Sequence, residues 1–394
     1  MRHVSFLVLP LLLLPTLALA EGEDPAGIAR DVMACESLGF GTCGALSAAM
    51  PQRDAVAAAL AGMLKTATPA EQAKIALALS LLDAKTQVDA LNTAAEVLAT
   101  DPAAADLRSA QARLGDVRAA PALVAMLQTD DVRRQILAAG GLGILHHKPA
   151  VTALVERLRS GQTRVQAAAA SALGQIGSPE AEPELLNLAA APKTLGVVRA
   201  AALNALALLH SRKAVPLATM LVDATPRDVA RAALRVLTAV PTPWAEDAAL
   251  NGLDTPGARA EAAGALVALK MTSAGVRVLE TAVRDDIEPD ERIALQAAIV
   301  ALKPSSAAPI LVKRLNKLPL NMAPDEALRI LRLLPQLGDR SVVPDLVPLL
   351  RLDNKFVVNH VVFALENLTG LRHGADEKPW LEYVAKGADG KTTK

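Results

Sequence analysis

The stretch AAGGLGILHHKPAV, residues 138–151, holds three glycines, two adjacent histidines and a lysine. Glycines near a positive charge could cradle a phosphate, and paired histidines could supply half a metal site. The rest of each site is missing. A dinucleotide loop needs G-x-G-x-x-G between a strand and a helix, and no G-x-x-x-x-G-K-[ST] occurs in the chain. Gly140, Gly141 and Gly143 read instead as the inside and end of an apolar helix. Histidines stand at 3, 146, 147, 210, 360 and 373, and none opens an H-E-x-x-H pair. No G-x-S-x-G elbow marks a nucleophilic serine. The expectation is a protein that is not an enzyme, with no catalytic residue, no cofactor and no metal ligand.

The remaining reactive pair is Cys35 and Cys43, in ACESLGFGTCGAL. Two cysteines at close spacing suit a disulfide in an oxidising compartment. A metal site would need about four ligands, and no histidine lies near. A redox pair usually has the tighter C-x-x-C spacing. The pair is expected to be a structural staple. The first twenty residues fit that compartment. MRH is a short basic start, VSFLVLPLLLLPTL is apolar, and ALA closes it at 18–20. That is the pattern of a secretory signal peptide cut after Ala20. Pro10 and Pro15 break a run already short for a membrane span. The chain is therefore expected to be exported, periplasmic or secreted, and not an integral membrane protein.

Composition narrows the class. The chain has 394 residues, 52% of them hydrophobic, yet aromatics make up only 2%. Alanine and leucine fill the core instead, which suits closely packed helices. Basic and acidic residues balance at 41 each. Neither a basic bias nor stacking aromatics support nucleic-acid binding.

The elements that position these residues repeat. LGILHHKPAVTAL (142–154) aligns with LGQIGSPEAEPEL (173–185), LALLHSRKAVPLA (206–218) and LPQLGDRSVVPDL (334–346). An aliphatic anchor ends the first helix of each unit: Leu82, Leu114, Leu145, Ile176, Leu209, Val240, Leu269, Leu302, Leu337 and Leu368. Five residues after most anchors stands an alanine, and two residues later often a proline, tolerated in a first helical turn. In 163–176, Val165, Ala169, Ala172, Leu173 and Ile176 fall on one helical face. GSPE breaks that helix, and a second begins near Glu180. No run alternates with period two, so strands are not expected. His146 and His210 hold the turn position that Gly177 and Gly338 hold elsewhere. Gly174 and Gly143 leave room for close helix packing.

The pattern V-R-x-x-A-A-x-A-L-G-x-(I/L)-G, then a turn, then A-V-P-x-L, resembles HEAT repeats. Val198-Arg199 with AAALNALALL and KAVPLATML is a close example, in the style of the short bacterial repeats of phycobilin lyases. The resemblance covers about residues 69–370. It implies an all-α, superhelical α-solenoid of about nine helix pairs. Neighbouring pairs then share a continuous core, and the ends need caps. Residues 21–68, with the cysteines, form the expected N-terminal helical cap. Residues 371–387 form the expected C-terminal cap. There Leu368-Thr369-Gly370, Gly374-Ala375-Asp376 and Trp380 match the way similar chains end, and Trp380 and Tyr383 gather over the last pair. Residues 388–394 read as a disordered tail.

In HEAT solenoids the second helices line the concave side. Glu180, Glu182 and Glu184, then Lys313, Arg314 and Lys317, lie on second helices and form the candidate partner surface. Arg199, Arg259 and Arg292 recur at one position of the first helix and are expected to pair with acidic residues of adjacent units. The resulting expectation is a non-enzymatic scaffold in the envelope or secreted space, binding a protein or peptide. The alternative is a lyase-like accessory enzyme or chaperone holding a small molecule near Trp380 and Tyr383.

Overall fold

A computed structural model describes residues 24–39, 41–284, 286–304, 307–322 and 325–386. The expected signal peptide and tail lie outside the described residues. Among these residues every regular element is helical, and no strand occurs. The chain forms two compact units, divided in sequence at Ala153 and Leu154.

The N-terminal unit opens with a cap of α1 (Pro25–Ala34), α2 (Gly44–Ala49) and α3 (Arg53–Met63). Cys35 and Cys43 are disulfide-bonded, with Cα atoms 5.7 Å apart. The bond closes the loop between α1 and α2. Two helix pairs and a further first helix follow: α4 (Pro69–Leu81) with α5 (Val88–Val97), α6 (Ala104–Arg113) with α7 (Ala120–Leu127), and α8 (Val132–Ile144); the division falls within its partner α9 (Val151–Leu158). Ile28, Val32, Leu46, Val56 and Leu60 of the cap share one buried cluster with Ile75 and Leu79 of α4. Thr68 and Glu71 form a capping box at the start of α4, so two orphan N–H groups are satisfied at once. Lys74 then donates its ammonium to the carbonyls of Met33, at 2.6 Å, and Cys35.

The C-terminal unit continues the pattern. It contains α10 (Thr163–Ile176), α11 (Glu182–Ala190), α12 (Gly196–Leu208), α13 (Val215–Thr219), α14 (Arg227–Ala239) and α15 (Glu246–Gly252). Then come α16 (Arg259–Ala268), α17 (Gly275–Ala282), α18 (Pro289–Leu302), α19 (Ala307–Leu315), α20 (Asp325–Leu337) and α21 (Val343–Leu346). The last first helix is α22 (Lys355–Thr369), and α23 (Glu377–Ala385) replaces its partner. Consecutive first helices, as in α10, α12 and α14, pack directly on one another. The architecture is an all-α solenoid of nine helix pairs among the described residues.

One turn recurs between the paired helices. The residue after the anchor is left-handed: φ is 48° at His146, 49° at His210, 50° at Asp83, 54° at Lys270 and 43° at Lys303. Glycine takes the place at Gly115, Gly177 and Gly338. A left-handed residue lets the chain leave the helix while its N–H still bonds back, and glycine meets that demand without strain. Pro241 occupies the place after Val240, where a ring-locked φ forbids the same exit. There the helix ends at Val240 with φ −129° and ψ 73°. The alanines at 119, 150, 181, 214, 245, 274 and 307 are at most 2% exposed. Each sits under the turn, where the second helix begins.

The C-terminal cap forms around Trp380, which is fully buried. Its indole N–H donates to the Gly374 carbonyl at 3.0 Å, and the His373 ring meets it edge-on at 4.8 Å. Glu366 accepts from Arg372 at 2.6 Å and from the Gly374 N–H at 3.3 Å. The Arg372 guanidinium holds that carboxyl below its ordinary value, against the opposing pull of burial. Tyr383 is half-buried, and its hydroxyl oxygen is buried without a hydrogen-bond partner.

Candidate partner surface

The predicted acidic residues tie neighbouring repeats together. Glu182, at the start of α11, accepts from Ser211 at 2.6 Å and Lys213 at 2.8 Å, both in the next turn. Lys213 first, then Ser211, holds the Glu182 carboxyl below its ordinary value, against the pull of burial. Glu184 accepts two bonds from Arg159 of the preceding repeat, at 3.1 and 3.2 Å. Glu180 accepts from Ser178 within its own turn. Asp89 and Arg118 make the equivalent tie in the N-terminal unit at 2.7 Å. Of the predicted basic residues, Arg314 pairs with Glu326 at 2.8 Å, while Lys313 and Lys317 are exposed at the end of the second-helix segment.

The recurrent arginines share a bond to a backbone carbonyl. Arg199 donates to the Ala189 carbonyl at 3.0 Å, and Arg292 to that of Ala282 at 2.8 Å. Both targets lie at the end of the preceding second helix, where carbonyls have no helical partner. Arg259 combines this role with charge pairing. It is 1% exposed and bonds the Leu253 carbonyl, Asp286 at 2.8 Å and Glu291 at 3.4 Å. Burial explains the preference, since a dry helix end needs its carbonyls satisfied first. Glutamines do the same work elsewhere. Gln72 reaches Leu64 at 2.8 Å, Gln135 reaches Thr129 at 2.5 Å and Gln166 reaches Leu158 at 2.7 Å. All six stand ten residues before an anchor, so aligning the repeats by their anchors would have exposed the series.

Glycine roles separate by position. A Cβ on Gly174 would lie 2.7 Å from the Ala205 Cα, so α10 and α12 meet at backbone distance there. Gly141 is likewise closed in by Leu123, whereas Gly140 faces open space. Among the described residues no group of three or more His, Cys, Asp or Glu side chains could hold a metal ion. Among them, too, no helix is long and apolar enough to cross a membrane.

Accessible hollows open on the first-helix face in both units. In the C-terminal unit a groove of about 430 Å³ crosses α10, α12 and α14. Ala168, Ser171, Ala200 and Ala201 line it, with Arg231 and Arg235 at its edge. Both arginines donate to Glu261, at 3.0 and 3.1 Å, and Arg235 also reaches Asn204 at 3.3 Å. In the N-terminal unit a hollow of about 410 Å³ crosses α4, α6 and α8 beneath the disulfide loop.

The helix pairs, left-handed turns and buried alanines are the features of one repeat family, and the sequence matches it. Residues 120–207 and 151–238 match HEAT repeats. This stretch is made of HEAT repeats. The pairs on either side keep the same anchors and turns, so the fold is an all-α solenoid of HEAT repeats. No curated protein matches the sequence significantly. Among solved structures, the complex of CpcE and CpcF of phycocyanin lyase from Nostoc sp. is similar. It shows 20% identity over 63% of this chain and 94% of that one, with a TM-score of 0.39. YibA of E. coli shows 22% identity over 62% and 91%, with a TM-score of 0.43. Human deoxyhypusine hydroxylase shows 16% identity over 74% and 99%, with a TM-score of 0.29. These likenesses concern the repeat architecture alone.

Proposed function

We propose that the chain is a non-enzymatic interaction scaffold, exported to the envelope or secreted space, that holds a protein or peptide partner on its HEAT repeats. The observation that carries this reading is the recurrence of open hollows across three consecutive first helices in each unit. Repeat arrays present such extended surfaces because each unit adds the same face beside the last. The export half rests on the n-region, apolar stretch and A-L-A site of residues 1–20. The Cys35–Cys43 disulfide suits the same oxidising setting. The accessory-enzyme reading has less support. Its expected anchor, the Trp380 indole, is committed to the Gly374 carbonyl inside the cap.

The test is site-specific photo-crosslinking in the native envelope and secreted fractions. A crosslinker replaces Leu77 or Val197 on the first-helix face, or Lys313 on a second-helix segment. The scaffold reading predicts one discrete protein adduct from the first two positions. Absence of any adduct at all three positions would count against it.

A further inference from the structure

We infer that the hollow in the N-terminal unit recognises a short peptide segment that presents a carboxylate beside apolar side chains. This deepens the scaffold reading and rests on it. One wall is the loop Glu36–Leu38, which follows α1. That wall is held in two ways, by the Cys35–Cys43 bond and by Lys74 gripping the Met33 and Cys35 carbonyls. The floor is α6, where Ser109 and Ala110 face the space. Leu77 and Leu137, from the neighbouring first helices, make the sides apolar.

The charges in this hollow do not cancel. Arg133 and Asp106 neutralise each other through two bonds, at 2.9 and 2.7 Å. Lys74 donates to two carbonyls, which are neutral and leave its positive charge in place. Arg113 lines the hollow, is exposed, and makes no hydrogen bond or ion pair. Against these two cations stands one further acid, Glu36. A surplus positive charge therefore faces a partly apolar hollow. Ser109 adds a donor. It lines the space, and its hydroxyl makes no hydrogen bond within the protein. A carboxylate entering here would accept from Ser109 and meet the planar guanidinium of Arg113, the geometry in which charge-assisted bonds are strongest. The volume, about 410 Å³, lies in the lower part of the range of ligand pockets. That suits a few side chains of an inserted segment.

The test titrates the full exported chain, methyl-labelled at alanine, with acetyl-Leu-Glu-Leu-amide and follows the Ala73 and Ala110 methyl signals. Two comparison probes separate the possible sources of the carboxylate: acetyl-Leu-Gln-Leu-amide, and acetyl-Leu-Ala-Leu with a free C-terminus. The proposal predicts saturable shifts at both methyls with one or both carboxylate peptides. The glutamine peptide should bind at least about tenfold more weakly. The better of the two acids tells whether a side chain or a chain end is read. Arg113→Glu should weaken binding by about tenfold or more, while Arg212→Glu, on an exposed turn of the C-terminal unit, should change it by less than about twofold. Arg113 is exposed and unpartnered, so an unchanged melting curve will show that its variant folds. Equal binding of the glutamine peptide, no saturable shift, or indifference to Arg113→Glu would overturn the proposal. If the peptides fail while the Val197 crosslink persists, this site is wrong and the scaffold reading stands. Loss of every crosslink together with the peptide result would remove both.

Discussion

In the C-terminal groove, Arg231 and Arg235 both end on the carboxylate of Glu261, so the arginines at its edge belong to the repeat stack. In the N-terminal hollow, Arg113 ends on nothing and Lys74 ends on carbonyls. The two places share the same face of three consecutive first helices and nearly the same volume. What separates them is one carboxylate. The repeat dictates where a hollow forms, because first helices stack with alanine and serine between them. The charges at its edge decide whether that hollow is internal structure or a surface with something still to bind. The disulfide loop adds a second difference, since it gives the N-terminal hollow a fixed outer wall that the groove lacks.

The largest effect is expected from Gly174→Ala, which pushes a methyl into the Ala205 backbone beneath the groove. It should lower stability by about 1–3 kcal/mol in denaturant melts. Gly140→Ala, at an open helical site, should instead raise it by about 0.5–1 kcal/mol. Equal effects would mean that close packing of α10 on α12 does not build the groove floor.

Glu261→Gln comes next. It should cost roughly 1 kcal/mol or less, since the pairs are partly exposed. It should also free Arg231 and Arg235, so that acetyl-Leu-Glu-Leu-amide gains a second binding event in calorimetry. A single event would show that charge surplus alone does not make the groove a site. A smaller effect is predicted for Arg113→Met. An unpartnered surface arginine should contribute within about 0.5 kcal/mol, so the melting curve should barely move. A larger loss would reveal a structural role and weaken the contrast.

The smallest effect concerns acid. In the folded chain Glu182 titrates below its ordinary value of 4.5, first because of Lys213 and then because of Ser211. A carboxyl lowered on folding stabilises the protein fully above that ordinary value. The contribution is lost as pH falls through the lowered one. Stability measured from pH 7 downward should therefore decline below about 4.5, and Glu182→Gln should flatten part of that decline.

The array itself was legible in the chain. Anchors recurring every 29–35 residues, alanines five residues later and histidine or glycine at one turn position describe the observed repeat closely. The left-handed φ of His146 and His210 explains why histidine stands at the place that glycine takes in other repeats. The partner surface was less legible, for physical reasons. Glu182 and Lys213 are 31 residues apart, and only stacking brings them within 2.8 Å. A charge on a second helix therefore says little until its neighbour is known. Gln72, Gln135 and Gln166 escaped notice because glutamine on a helix reads as solvated surface, whereas here it reaches into the end of the previous helix. The missing partner of Ser109 leaves no trace in a linear pattern at all.

The central claim is that a partner lies across the first-helix face of the N-terminal unit. Hydrogen–deuterium exchange on the crosslinked complex, set against the free chain, tests it most directly. The account predicts new protection over 73–80, 106–113 and 133–137. Protection confined to 180–184 and 313–317, with none over those segments, would contradict it.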